Sequence, residues 1–354
     1  MEKFDSITDF LKTEDFNYRV YDMGRKVCPI SNEDFEQIEK QKQLFPYPFQ
    51  QKAWLALLFW PKNKEDQAVI WFLQFPIDEL GYLKQLSRDA FLIDLLEQTG
   101  KNIQAKQQGD AVEDGLGESP FAFKPREDRL SMFHALATVE LSQEPSQHYQ
   151  YAHDYLLPKD QGGPGYEQWQ FLGLQGIADV IARLGEDNNA SLLASAIADM
   201  PSTPLQSFAH GLENTVFDKP LFGSILLRLR AELVSGDDVV LIAALIRAIS
   251  SQDLDAEKTK ILSEILRSPL AKEIEVIAAI SGRSWADLEN KELMALFVEK
   301  LATQEQMAFN AILADLIMIP GMRELILASM RSENRSPELA QRFGVFMQAI
   351  NAKA

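Results

Sequence analysis

The sequence predicts a mainly α protein in which a small N-terminal α+β domain with an antiparallel sheet precedes a C-terminal α-solenoid. Three observations carry that prediction. A helical motif returns every 33 to 35 residues through the second half, where Gln175, His210, Ala243, Ile277 and Ile312 fall in register within LGLQGIADVIARL, SFAHGLENTV, LIAALIRAI, EIEVIAAI and FNAILADLIMI. Such a period belongs to helix pairs, because one pair cannot bury its own apolar face and must stack on the next. Before the repeats, AWLALLFW (53–60) and AVIWFLQF (68–75) are aromatic-rich, apolar on both faces and bounded by Pro61 and Pro76, which favours two buried strands over one helix. Between the regions, residues 108–120 are poor in apolar side chains and rich in Gly, Asp and Glu, the composition of a mobile linker. The expected organisation is therefore an α+β module over 1–107, an acidic linker over 108–120 and a helical repeat domain over 121–354.

The elements follow in order. A short helix over Asp5–Thr13 precedes NYRVYDMGRKVCPI, two short strands turning at Met23-Gly24. Ser31-Asn32-Glu33-Asp34 resembles a capping box and starts a helix to about Gln43. FPYPF (45–49) leads into the two long strands, joined by the polar turn PKNKEDQ. A helix from Ser87 to about Lys106 sets Phe91, Leu95 and Leu96 on one face. From FAFKPREDRLSMFHALATVEL onward the pattern is helical apart from the loop PKDQGGPG (158–165). Thr203-Pro204, Ser268-Pro269 and Ser336-Pro337 each place a side-chain acceptor before a proline, a helix-start signature. Ser284-x-x-Asp287 and Thr303-x-x-Gln306 are further capping-box-like starts. The last helix carries Leu339, Phe343, Phe346, Met347 and Ile350 as a one-sided apolar stripe, suited to a solenoid end.

Composition narrows the function classes. The 354 residues are 46% hydrophobic and 25% charged, ordinary globular material, and the net charge of −17 divides into −8 over residues 1–150 and −9 over 151–354. Nucleic acids and anionic membranes draw affinity from Lys and Arg, so an acidic chain without a basic block predicts no nucleic-acid and no membrane partner. No apolar run reaches the roughly 18 residues of a membrane helix, since Arg247 and Asp315 interrupt the two best stretches. Cys28 is the sole cysteine. It excludes an internal disulfide, fits a small packed residue of a strand, and with the absence of a signal-like N-terminus predicts a cytoplasmic protein.

Four strings, FPYPFQQKAWLALLFW, AVIWFLQFPIDELG, SRDAFLIDLLE and FAFKPREDRLSMFHA, carry a resemblance to an uncharacterised gammaproteobacterial family, a domain of unknown function. The resemblance covers most of the chain. It implies a bacterial, cytoplasmic protein and transfers no activity, cofactor or catalytic residue.

The common catalytic signatures are absent: no P-loop, no dinucleotide-binding glycine motif, no H-E-x-x-H, no nucleophile elbow and no EF-hand loop. Gly162-Gly163-Pro164-Gly165 lacks the preceding strand of a phosphate-binding turn and reads as a connector. One constellation matches a chemistry. His134, the pair His153-Asp154 and Asp179 follow the order of an all-helical metal phosphohydrolase, with imidazole nitrogens and carboxylates clamping a divalent ion that activates water. Arg228 and Arg230 in LLRLRAEL read either as groove cations for an acidic peptide or as solvated positions with local acidic partners. With no catalytic, cofactor or metal residue assigned, the leading expectation is an interaction or adaptor protein. Its HEAT-like helix pairs would hold a protein or peptide, and metal-dependent phosphohydrolysis through His134, His153 and Asp154 is the alternative.

Overall fold

The computed structural model describes the backbone of residues 4–108 and 119–351 and the side chains of 4–96 and 119–350. Most of the expected acidic linker lies outside these residues. The chain divides into two compact units, Met1–Arg126 with Met318–Pro320, and Glu127–Ile317 with Gly321–Ala354.

The first unit is a four-stranded antiparallel sheet with three helices. Its strands are β1 (Phe16–Asp22), β2 (Cys28–Ile30), β3 (Lys52–Pro61) and β4 (Val69–Pro76), in spatial order β2-β1-β3-β4. Register is set by pairs such as Val20 with Leu57 and Leu57 with Trp71. Period-two alternation sends Ala53, Leu55, Leu57 and Phe59 of β3 and Leu73 and Phe75 of β4 to one face. There they meet Ile7 and Leu11 of α1 (Ile7–Thr13), Phe35 and Ile38 of α2 (Asn32–Glu39), and Phe91, Leu92 and Leu95 of α3 (Gln85–Gln108). Ala56, Leu58 and Trp60 on the opposite face are buried too, as expected of strands apolar on both sides. Phe45 is fully buried in this core and Tyr47 packs on it, so the Phe45–Phe49 aromatics close the module. Phe121–Phe123 also belong here, since the Gln74 amide donates to the Phe121 carbonyl and the Phe123 amide to that of Phe72.

Buried charge ties the helices to this core. Glu39, wholly buried, accepts the amides of Ile7 and Thr8 at the start of α1 (2.8 and 3.0 Å). Burial raises its carboxyl above the ordinary carboxylate range, and those hydrogen bonds oppose the rise. Helix α2 opens on Ser31, whose hydroxyl accepts the Asp34 amide, as expected. It stops at Glu39 and not near Gln43, because Gln41 turns into the left-handed region (φ 53°).

The second unit consists of α4 (Glu127–Glu140), α5 (Tyr149–Tyr155), α6 (Leu174–Ala182), α7 (Asn189–Ala196), α8 (Ser202–Leu212), α9 (Lys219–Ser235), α10 (Val239–Ala248), α11 (Ala256–Arg267), α12 (Ile274–Arg283), α13 (Lys291–Leu301), α14 (Gln306–Ile317), α15 (Met322–Met330) and α16 (Pro337–Asn351). Each even-numbered helix from α4 to α16 packs on the next even-numbered one, while α7 packs on α9, α11 on α13 and α13 on α15. Two layers of alternating helices are the arrangement of a solenoid. The residues that reveal the period, Gln175, His210, Ala243, Ile277 and Ile312, fall on α6, α8, α10, α12 and α14, one layer of that stack.

Close approach within the layers needs glycine at two places. A Cβ on Gly176 would sit 2.4 Å from the His148 carbonyl, and one on Gly211 would sit 2.2 Å from Ile181 Cδ1. Helix starts are fixed by Asp218, Asp238, Asp255 and Asn290, whose side chains accept first-turn amides of α9, α10, α11 and α13. Of the three proline-preceded starts, Ser336 behaves as expected and accepts the Leu339 amide. Ser268 donates back to the Ile265 carbonyl, and Thr203 lies inside α8, which begins after Pro201. Thr303 likewise donates to the Lys300 carbonyl and closes α13. Asp287 takes no capping part after Ser284 and pairs with the fully buried Lys258 of α11 (2.8 Å). No helix among the described residues is long and apolar enough to cross a membrane.

Candidate functional site

The helix layer α4-α6-α8-α10-α12 carries two adjoining clefts that share His210. One is lined by Asp128, Arg129 and Met132 of α4, Leu174, Ile177 and Ala178 of α6, and His210, Gly211, Glu213 and Asn214 at the end of α8. The other, the roomier of the two, is lined by His210, by Val240, Ala243, Ala244 and Arg247 of α10, and by Glu275, Ala278, Ala279 and Arg283 of α12. The lining follows the repeat. Ala178, Gly211, Ala244 and Ala279 recur 33 to 35 residues apart, so successive helices place a small residue at the same position of the lining. Ile177, His210, Ala243 and Ala278 recur one position earlier, with Leu174, Val240 and Glu275 toward the helix starts.

At the helix ends this pattern turns charged. Glu213, with 5% of its side chain exposed, accepts from Arg247 Nε at 2.6 Å and from Arg283 Nε at 2.9 Å. Its backbone carbonyl accepts from the Ser251 hydroxyl. Burial alone would raise the Glu213 carboxyl, but the Arg283 and Arg247 guanidiniums outweigh it and hold the group at about 2, so it is ionised at neutral pH. The same surroundings act on His210 in the opposite sense. Burial, aided by Arg247, lowers its imidazole to about 4, against the weaker pull of Glu213 and Asp128, so it is neutral at pH 7. Arg283 Nη1 is satisfied by the Gly282 carbonyl at 2.8 Å. Among the described residues, Arg283 Nη2 and both Nη groups of Arg247 find no acceptor, and both side chains line the open cleft.

The histidine constellation is held differently. Asp179 is fully buried and accepts from the Ser146 amide (3.1 Å) and from Gln175 Nε2 (3.3 Å), with Arg183 Nη1 at 3.6 Å. His134 feels the Asp179 charge, yet burial dominates and lowers its imidazole. His153 places Nδ1 3.2 Å from Asp154 and Nε2 3.3 Å from the Asp187 carbonyl. Asp154 also accepts from Gln150. The structure pairs His153 with Asp154 and Asp179 with Arg183, and among the described residues no three His, Cys, Asp or Glu side chains converge as a metal-binding group.

Arg228 donates to the carbonyls of Ile197, Ala198 and Met200, closing the end of α7, and pairs with Glu232 at 2.7 Å. It serves packing between α7 and α9. The Gly162–Gly165 segment joins two short 3-10 turns, Lys159–Gln161 and Tyr166–Phe171, with Gly162 and Gly165 at positive φ. Cys28 lies on the edge strand β2, opposite Asp22.

The Glu213, Arg247 and Arg283 cluster has no motif-level signal. A sequence signal does exist: the apolar α10 and α12 segments each carry an arginine in their last turn, 36 residues apart.

A family model described as a protein of unknown function (DUF3549) matches residues 2–347. No curated protein and no solved structure matches the chain.

Proposed function

The chain belongs to the DUF3549 family of proteins of unknown function, and from that premise we propose that its helical unit is an interaction platform that holds a protein or peptide segment. The clefts along α4 to α12 are the site of binding, and the helix pairs act in the HEAT-like manner, each adding one strip to an extended receiving face. The observation that carries this reading is the repetition of the lining. Equivalent positions of four successive helices of one layer line the two clefts, so the repeat itself lays out a continuous strip of them. The exposed rim residues Leu174, Val240 and Ala278 supply apolar contact, and the Arg247 and Arg283 ends supply polar contact. A reducing cytoplasm fits a chain with one cysteine on an edge strand.

The test is capture from native-host lysate by the full chain, compared with an Ala243→Trp, Ala278→Trp variant that fills the second cleft. A control changes exposed Leu227 of α9 to Ser. A stoichiometric partner that survives moderate salt, is lost on cleft filling and is retained by the control supports the platform. A partner captured equally by all three proteins contradicts this site.

A further inference from the structure

We infer that the Arg247 and Arg283 ends of the second cleft form a socket for one carboxylate, an Asp or Glu side chain of the bound peptide. The inference rests on the platform reading and specifies its ligand chemistry. Glu213 fixes both cations through their Nε atoms, which restrains two long side chains before any ligand arrives. Three Nη groups of these two cleft-lining side chains have no acceptor among the described residues and are able to donate to a carboxylate.

Charge decides which anion fits. Two guanidiniums and one ionised Glu213 sum to a single positive charge, and neutral His210 adds none. Glu275, also on the cleft lining and exposed, brings the cleft with Glu213 to no net charge, so the positive excess is confined to the guanidinium end. The balance therefore suits a monoanionic carboxylate better than a phosphate dianion. Cleft shape agrees, since Ala243, Ala244, Ala278 and Ala279 leave room beside the guanidiniums for the stem of an acidic side chain. A purely structural staple between α8, α10 and α12 would be complete with the Nε contacts and needs no open cleft beside it.

The experiment uses the full chain with 15N-labelled arginine and follows the Nε signals of Arg247 and Arg283 by NMR. The probes are a capped Ala-Glu-Ala tripeptide, its Ala-Gln-Ala counterpart and sodium chloride at matched ionic strength. A saturable shift at both arginines with the Glu peptide alone, half complete at roughly 1–10 mM, is expected. An Arg283→Gln variant is expected to weaken the response at Arg247 at least about fivefold. Equal shifts with the Gln peptide or with salt, or no shift at about 50 mM peptide, overturn the socket; the concentration scale is that of weak single-contact binding. The wild-type comparison stands alone if the variant does not fold. A partner lost on cleft filling together with a flat titration leaves the platform standing and removes only the carboxylate socket.

Discussion

Replacing Glu213 with Gln removes an anion that two guanidiniums share, at a side chain only 5% exposed. The carboxyl lies at about 2 in the folded chain, against an ordinary unfolded value of about 4.3. That difference of about two units corresponds to about 3 kcal/mol of folding stability at neutral pH. Arg247 and Arg283, exposed by 20% and 12%, retain some hydration when the charge is lost, so Glu213→Gln is expected to cost about 2–4 kcal/mol. The sign with pH follows from the lowered value. The contribution is complete above about pH 4.5 and drains away as pH falls toward about 2, where the folded carboxyl takes up its proton. The gap between wild type and Glu213→Gln should therefore be constant from pH 8 to 5 and narrow below. Urea denaturation of the full chain at a series of pH values measures it. A variant within about 0.5 kcal/mol of wild type at pH 7 would refute the reasoning, because surface changes alone produce differences of that size.

Three further predictions bear on the same helical unit. His210, lowered to about 4 from an ordinary 6.5, makes the unfolded chain bind more protons between those values, so stability should fall as pH drops from about 6.5 to about 4. A His210→Gln variant should flatten that slope in the same urea series. Gly211→Ala drives a methyl toward Ile181 Cδ1 and is expected to destabilise by about 1–3 kcal/mol, read from the shift in denaturation midpoint. Lys258→Met removes the ion pair of the buried Asp287 carboxylate and should cost about 3–5 kcal/mol, whereas Lys258→Met with Asp287→Leu should recover most of it, measured as a double-mutant cycle.

Much of the fold was legible because two strong periodicities write it. The apolar strand at 53–60 falls inside β3 and that at 68–75 matches β4 to within one residue, and the five register residues fall on one helix layer. Register to a single residue was less legible. His210 and Ala243 line the clefts, while Gln175 and Ile277 sit beside the lining residues Ile177 and Ala278, because connections of unequal length let the period drift. Helix starts failed where helices follow closely. A hydroxyl at such a junction is able to accept an amide of the next helix or to donate to a carbonyl of the last, and Ser268 and Thr303 take the second course. Local sequence does not distinguish the two.

The charged cluster was hidden for a different reason. Its Nε contacts join Glu213 to partners 34 and 70 residues away, about one and two repeats, where the period places the helix ends together and no local motif marks the charges on them. The histidines illustrate the converse. His134, His153, Asp154 and Asp179 stand in a suggestive order along the chain, yet the fold turns His153 to Asp154 and Asp179 to Arg183.

The central claim is that the α4 to α12 clefts receive a partner, and site-specific photocrosslinking in the native host tests it most directly. A benzoylphenylalanine is placed in the full chain at Ala278, within the second cleft, or at exposed Val234 on α9 as the control. The account predicts one discrete crosslinked polypeptide from position 278, mapping to an acidic segment and absent from position 234. The same crosslinks from both positions, or from position 234 alone, would contradict it.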